Sequence, residues 1–556
     1  MATTLPSPAR FVHGLRFDNL RGDIFGGITA AIVALPLALA FGVASGAGPI
    51  AGLYGAICTG FFAALCGGTP AQISGPTGPM TVVMASTFAN LTASNPENGW
   101  AMALTVVMFG GIFQVLLGLF GLGKYITFMP YTVISGFMSG IGVIIIILQI
   151  APLLGHQTAP GVVRSLEALP TYINDVNFAA VSLGLIALAI VFFSPPRVNR
   201  ILPAPLIALV VGTIISLIFF GNVSLPRIGE IPSGLPSLHL PYLSWGSLKQ
   251  MLLYSIMLAV LGSLDSLLTS LVADNISRSH HDSDRELVGQ GIGNLVSGLC
   301  GGLPGAGATM RTVININSGG KTPIAGMIHA LILLIIVLKA GQLTEPIPHA
   351  VLAGILIKVG IDIVDWSFLK RAHQLSTKGA GLMYLVLGLT VFVDLITAVA
   401  VGVFVANLFT VKNLTDIQLQ SIKSVTRGDG EDWLEEEEQQ ILREANGRIF
   451  MFHLSGPMSF GAAKSIARRL TIVENYDVLI LDLATVPRLG ITALLAIETM
   501  LKDALAKQRE VFLVGAKGQV QARLQRLPVL AQLSPHHRLE SRLLALQMAA
   551  ACINVD

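Results

Sequence analysis

Charge is scarce in this chain. Lys, Arg, Asp and Glu make up 12% of its 556 residues, about half the roughly 25% that a soluble domain carries. With 53% hydrophobic residues and a mean hydropathy of +0.71, that deficit excludes an ordinary soluble protein and points to a polytopic membrane protein. A formal net charge of +3, set mostly in short loops, is too small for a nucleic-acid binder. Cysteine is rare as well. Cys58, Cys66, Cys300 and Cys552 show neither paired nor metal-ligand spacing, so they read as small buried residues rather than a disulfide frame or a zinc site. Residues 1–22 are polar and lack a cleavable signal, and the apolar run after them is long enough to span. No metal-bound-water motif, nucleophile–base pair or P-loop is found, so an enzyme is not expected.

What the chain does have is long apolar runs. They fall at 23–46, 50–68, 77–92, 103–123, 129–155, 178–195 and 202–221, then at 250–277, 286–302, 308–318, 322–342, 347–366, 380–394 and 395–412. This predicts fourteen transmembrane segments in two sets of seven (23–221 and 250–412), joined by the Pro-rich stretch 222–249. The third member of each set is short, about half a membrane thickness. An odd number of spans per half gives an inverted repeat. With the N-terminal segment 1–22 in the cytoplasm, thirteen Lys and Arg fall on the inner side and four on the outer, a positive-inside bias. An even span count returns the chain to the cytoplasm, where 413–445 reads as a charged linker. Its run Glu435-Glu436-Glu437-Glu438 reads as a solvated helix face without chemistry. From 446 to 556 the pattern is that of a small α/β domain. Strands are expected at Ile449–Leu454, Val478–Leu483 and Val511–Val514, and helices at Ala462–Leu470, Thr492–Ala506 and Gln519–Leu527.

Two glycine- and proline-rich interruptions break the apolar runs at matching places. One is Leu65-Cys66-Gly67-Gly68 followed by Gly75-Pro76-Thr77-Gly78-Pro79-Met80. The other runs from Leu299-Cys300-Gly301-Gly302 through Gly305-Ala306-Gly307-Ala308-Thr309-Met310-Arg311. Irregular backbone at membrane depth must be buried in protein or line a cavity, and paired interruptions in two halves point to a transporter's binding site. Helices starting at Thr77 and at Ala308–Thr309 from opposite sides would aim unsatisfied N–H groups and positive dipole ends at one place, a site for a small anion. Glycines 75, 78, 305 and 307 would let a ligand approach the main chain; tight helix packing is the plainer use of such residues.

Asp265 lies mid-span, and Thr269 four residues on shares its helix face. An intramembrane carboxylate is a functional candidate; a structural hydrogen bond to a neighbouring helix is the alternative. With the carbonyls of Gly307, Ala308 and Thr309, these side chains make a set of hard oxygens suited to Na+, and a proton on Asp265 would neutralise the same charge. Two roles are open to Arg311, lending positive potential to the anion or pairing with Asp265, beside plain snorkelling to an interface. Phe41, beyond Pro36 in the first span, could wall the pocket.

At these residues the chain resembles the SulP family of anion permeases. The resemblance rests on G-D-I-F-G-G-I-T-A-A-I-V-A-L-P (22–36), G-P-T-G-P-M-T-V-V (75–83), M-P-Y-T-V-I-S-G-F-M-S-G (129–140), R-E-L-V-G-Q-G-I-G-N (285–294) and M-R-T-V-I-N-I-N-S-G-G-K-T-P-I-A-G (310–326). It implies fourteen segments in two inverted repeats, split into core and gate domains, elevator-like movement of the core, and a C-terminal cytoplasmic STAS domain that serves homodimerisation. Within the family the chain is most similar to cyanobacterial sodium-dependent bicarbonate transporters, on Asp265/Thr269, G-A-G-A-T-M and V-D-W-S-F-L-K-R-A-H (364–373). That implies Na+ at Asp265, Thr269, Gly307, Ala308 and Thr309, and bicarbonate facing Thr77 and the Ala308–Thr309 backbone. The implied function is Na+-coupled bicarbonate import through the plasma (inner) membrane. The competing readings are a proton-coupled sulfate or dicarboxylate permease and a membrane-anchored signalling scaffold. Two departures stand out. Leu37 replaces the glutamine common after the first-span proline, and V-P-R-L-G-I-T-A (486–493) replaces the family's Asp-Ser-Ser-Gly loop. Thr492 then stands at the phospho-acceptor position of what reads as a hydrophobic docking loop.

Overall fold

Long runs of Ala, Gly, Leu and Ile interrupted by Gly and Pro leave the backbone one economical solution in lipid, a series of helices broken where those residues fall. A computed structural model of the chain describes residues 13–126, 130–159, 161–199, 202–221, 223–229, 234–340, 344–427, 433–458, 466 and 475–554. The chain divides into two compact units at Phe404/Val405.

In the first unit a helix coincides with each of the fourteen apolar runs. The first seven are α1 Leu20–Ala44, α2 Pro49–Cys66, α3 Gly78–Ser94, α4 Gly99–Leu119, α5 Tyr131–Leu153, α6 Phe178–Phe193 and α7 Ala204–Phe219. The second seven are α8 Leu248–Ser277, α9 Ser283–Leu299, α10 Thr309–Asn317, α11 Pro323–Ala340, α12 His349–Ile363, α13 Thr377–Phe392 and α14 Leu395–Gln420, the last of which crosses into the second unit. Among the described residues, six helices are individually long and apolar enough to cross a bilayer: α1, α2, α4, α5, α8 and Thr397–Gln418 of α14. The third members of the two sets are unequal. The nine residues of α10 rise about 14 Å, and the 17 of α3 about 26 Å, against a hydrocarbon core of about 30 Å.

Helices α1–α4 pack with α8–α11, and α5–α7 pack with α12 and α13. The tightest crossings use glycine. A Cβ at Gly111 of α4 would lie 2.5 Å from the Gly291 carbonyl oxygen of α9, and a Cβ at Gly291 the same distance from the Gly111 oxygen. Helix association in lipid rests on such close packing.

Two short strands join the interruptions. β1 (Ser74–Gly75) precedes α3 and β2 (Ala306–Gly307) precedes α10, and they pair antiparallel with Ser74 opposite Gly307 and Gly75 opposite Ala306. Antiparallel strands feeding two helices send those helices apart from a shared crossing, so both amino ends sit at it.

The second unit is a five-stranded sheet of order β3-β4-β5-β6-β7, made of Ile422–Val425, Ile449–Ser455, Val478–Thr485, Glu510–Val514 and Arg538–Leu539. β3 runs antiparallel to β4, and the remaining neighbours are parallel. Strand alternation sorts the core. Phe450, Phe452 and Leu454 enter one apolar cluster with Ile497 and Met500 of α16 (Ile491–Ala506) and Val520 of α17 (Gly518–Leu524). Ile449 and Met451 enter the other, with Leu442 of α15 (Glu436–Glu444) and Leu546 of α18 (Arg542–Asn554). The expected helix Ala462–Leu470 lies outside the described residues apart from Ile466.

The region read as a charged linker is not a free connection, because it contributes β3 and α15 to this sheet unit. One expectation is overturned. Glu438, read as part of a solvated face, is buried, completes a capping box with Glu435, and takes a bidentate bond from Arg542 at 2.7 and 2.6 Å. The i, i+3 spacing of Glu435 and Glu438 carried that signal. On the other face of the sheet Ile491 and Leu495 are exposed at the start of α16, next to an exposed Thr492.

Candidate functional site

The β1–β2 crossing is satisfied from two sides by polar stripes. On α9, Glu286, Gln290 and Asn294 recur every four residues, so they share one helix face. Glu286 accepts from the backbone N–H of Gly68 and Thr69, each at 2.9 Å, and from Gln72 Nε2 at 2.7 Å and Gln290 Nε2 at 2.8 Å. Gln290 also donates to Ser74 Oγ at 2.6 Å. Asn294 takes the Gly305 N–H at 2.7 Å and donates to its carbonyl at 3.0 Å. On α8, Ser266 Oγ accepts the Gly307 N–H at 3.0 Å and Ser270 donates to Gln72 Oε1 at 3.0 Å. The interrupted backbone therefore finds side-chain partners in place of helical ones, as burial at membrane depth demands.

Most of the residues singled out from the sequence come together here. Thr269 Oγ1 donates to the Gly307 carbonyl at 2.9 Å and lies 2.7 Å from Thr309 Oγ1. One turn earlier on the same helix Asp265 is buried, and its Oδ2 has no hydrogen-bond partner. The carboxylate faces the Thr77 hydroxyl, which is also buried and unpartnered, and lies within electrostatic range of Arg311. Thr77 caps α3, Gly78 is its first helical residue, and Ala308 caps α10 just ahead of Thr309; neither cap uses its side chain. The amino ends of both helices are thus left to backbone N–H groups.

Arg311 is fully buried, so it does not snorkel. Its Nη2 donates to the Pro76 carbonyl at 2.5 Å, and among the described residues it forms no ion pair with Asp265. Reaching from α10 across to the chain entering α3, it places its charge beside both helix starts. Phe41 is buried and lines a small cavity with Thr81, Ile145, Leu148 and Leu356. Leu37 is buried in α1.

Three residues of consequence escaped the sequence reading. Glu286 sat at the edge of an apolar run, where a solvated carboxylate is ordinary; the four-residue spacing to Gln290 and Asn294 was the available signal. Asp23, the first residue of the first apolar run, is buried. It accepts from the N–H of Lys321 and Thr322 at 2.7 and 3.0 Å and from Thr322 Oγ1 at 2.7 Å, clamping α1 to the start of α11. His329 on α11 is buried with both ring nitrogens unpartnered, and its place inside the apolar run 322–342 was the available signal.

Chemically, the crossing presents two helix amino ends and a buried guanidinium for an anion, beside a carboxylate, two hydroxyls and a carbonyl for a hard cation or a proton. The profile of the sulfate permease family matches residues 20–386, and that of the STAS domain matches residues 440–541. The chain belongs to the sulfate permease family. The permease is a multi-pass membrane transporter with a C-terminal STAS domain, not an enzyme. It is 52% identical over 546 residues, 97% of its own length and 96% of the relative's, to a protein of Picosynechococcus sp. named bicarbonate transporter BicA. The solved transmembrane domain of a cyanobacterial bicarbonate transporter BicA is 55% identical to it, covering 70% of this chain and 100% of that one, with a TM-score of 0.67. The murine solute carrier 26 family member A9 anion transporter, in its inward-facing state, shares the fold at 18% identity. That match covers 97% of this chain and 92% of that one, with a TM-score of 0.82.

Proposed function

We propose that the permease imports bicarbonate together with Na+. The observation that carries this reading is the β1–β2 crossing, where two helix amino ends and Arg311 lie beside the Asp265 carboxylate, with its unpartnered Oδ2, and the Thr269–Gly307–Thr309 oxygen cluster. Similarity to proteins named bicarbonate transporters supports the choice of anion.

In this reading Na+ is held by Asp265, Thr269 and Thr309 Oγ1 and by the carbonyls of Gly307, Ala308 and Thr309. Neutralising Asp265 lowers the repulsion a monovalent anion would meet. Bicarbonate then binds against the N–H groups at Thr77–Gly78 and Ala308–Thr309, with Arg311 supplying positive potential and Phe41 walling the approach from α1. The linkage is reciprocal, each ligand raising the other's affinity by the same factor. The chain crosses the membrane fourteen times as two inverted repeats, with its N-terminal segment and STAS domain in the cytoplasm. The bundle of α1–α4 and α8–α11 moves as the elevator core against α5–α7 and α12–α14, and two chains associate through the STAS domain.

The deciding measurement is uptake of labelled bicarbonate and sulfate into proteoliposomes, with and without a sodium gradient, at two external pH values. A bicarbonate signal that rises with sodium and falls at least tenfold in Asp265→Asn, with the variant still folded, is the expected result. Uptake that follows pH and ignores sodium would instead assign the carboxylate to a proton and favour the proton-coupled sulfate or dicarboxylate reading. Unchanged uptake in Asp265→Asn would sink both.

A further inference from the structure

The stretch 222–249 joining the two sets of helices makes two separate attachments. Residues 226–229 are held by the segment before α12: the Ile228 N–H bonds the Ile347 carbonyl at 3.0 Å and Arg227 Nη1 bonds the Pro346 carbonyl at 2.7 Å. Residues 234–245 lie instead over α2, α4 and α9. Tyr54 Oη donates to the Gly234 carbonyl at 3.2 Å, the His239 N–H to the Leu299 carbonyl at 2.8 Å, and the Tyr242 N–H to Thr105 Oγ1 at 2.8 Å. The His239 ring stacks edge-on against Trp100 at 4.8 Å.

With its backbone pinned in this way, the segment turns its apolar side chains outward. Leu235 is 73% exposed, Leu238 77%, Leu240 82%, Leu243 52% and Trp245 88%. From Gly234 to Leu248 there is no Asp, Glu, Lys or Arg; the first charge is Lys249. A loop in water does not display five large apolar groups on an uncharged strap, and a contiguous exposed patch of this kind marks a partner. Just past Lys249 the chain enters α8, whose first turns expose Leu253 and Ile256, apolar residues that are lipid-facing in a membrane-crossing helix. Trp and Tyr settle at the headgroup level of bilayers, where one side of the ring is apolar and the other wet.

We propose that residues 234–245 form an interfacial strap lying in the outer leaflet of the bilayer, with Trp245, Leu243, Leu240 and Leu238 sunk among the upper acyl chains and Lys249 at the phosphates. The assignment to the outer leaflet rests on the topology proposed above. Among the described residues its inward hydrogen bonds go to α2, α4 and α9, so the strap rests on the surface of that bundle.

The test is lipid quenching of Trp245 in proteoliposomes whose tracer uptake has been verified, so that failure of the strap leaves the carrier reading standing. Subtracting the emission of Trp245→Phe from that of the unaltered chain isolates this indole from Trp100, Trp366 and Trp433. Phospholipid brominated on the acyl chain close to the glycerol should remove most of the difference emission, and iodide in the water on both sides should remove little. A second variant, Leu240→Ser with Leu243→Ser, retains Trp245 and should raise its iodide quenching severalfold. Difference emission quenched by iodide but not by bromolipid overturns the proposal. So does emission protected from both, which would place a second copy of the chain over the strap.

Discussion

A carboxylate inside a bilayer-embedded bundle persists where its lone pairs find donors or a counter-charge, and two residues meet that condition to opposite degrees. Glu286 has four donors, whereas Asp265 is left with an unpartnered oxygen. The first is the signature of architecture and the second of a ligand. Hydrogen bonds to a charged group are worth about 1.5–3 kcal/mol each. Glu286→Ala should therefore lower the melting temperature in detergent sharply and abolish uptake, while Glu286→Gln, able to keep part of the network, should fold and retain measurable transport. Wild-type stability in Glu286→Ala would remove the residue from the scaffold of the site. Asp265 was legible in the sequence as a carboxylate in an apolar run, Thr269 by its four-residue spacing from it, and Thr77 as a helix start after a Gly-Pro interruption. Glu286 was not, because its partners Gly68, Thr69 and Gln72 lie more than two hundred positions away, a distance no local pattern reports.

Between residue and domain, the pairing of β1 with β2 decides how the helix starts meet. Gly305 approaches the other strand so closely that an added Cβ would sit 2.6 Å from the Gly75 carbonyl carbon. Gly305→Ala should pry the strands apart and cost most of the uptake, with inserted protein at normal amounts; transport at the wild-type rate would show that the crossing tolerates slack. The sequence placed both interruptions but could not pair them, since two-residue strands carry no periodicity. In the soluble unit, α15 is held to the sheet through Glu438 and Arg542, and Arg542 also reaches Asp482 at 3.6 Å. Burial alone would raise the Asp482 carboxyl, but the hydrogen bonds from His453 and the Ala484 N–H, with the charges of His453 and Arg542, hold it below the ordinary carboxylate range. A lowered carboxyl stabilises the fold above its unfolded value of about 3.9 and loses that contribution as pH falls through its folded value. Asp482→Asn should thus lower the stability of the full chain's STAS unit by about 2 kcal/mol at neutral pH. The deficit should vanish in acid, as followed by protease susceptibility across pH; one that persists at the lowest pH would assign the loss to packing instead.

Across the whole molecule the two units answer different questions. The alternation of strands and helices in the C-terminal unit was readable, but its first strand and α15 were hidden in what looked like a charged linker, because a run of glutamates masks a single buried one. The carrier reading expects the STAS unit to be dispensable for the site. A chain ending at Gln420, which removes the sheet cleanly where a cut at 446 would strand β3 and α15, should retain sodium-stimulated uptake per inserted molecule. Complete loss would favour a signalling scaffold. One clamp also bears on how the protein is made. Asp23 receives its donors from Lys321 and Thr322, 298 and 299 positions further along. At roughly 5–20 residues per second of synthesis, the first helix waits about 15 to 60 s in the bilayer with its Asp23 carboxylate served by the neighbouring Asn19 amide but not yet by Lys321 and Thr322. The bundle around it therefore closes late, after the ribosome has delivered α11, and the nascent chain's early life is spent with its amino-terminal helix only provisionally seated.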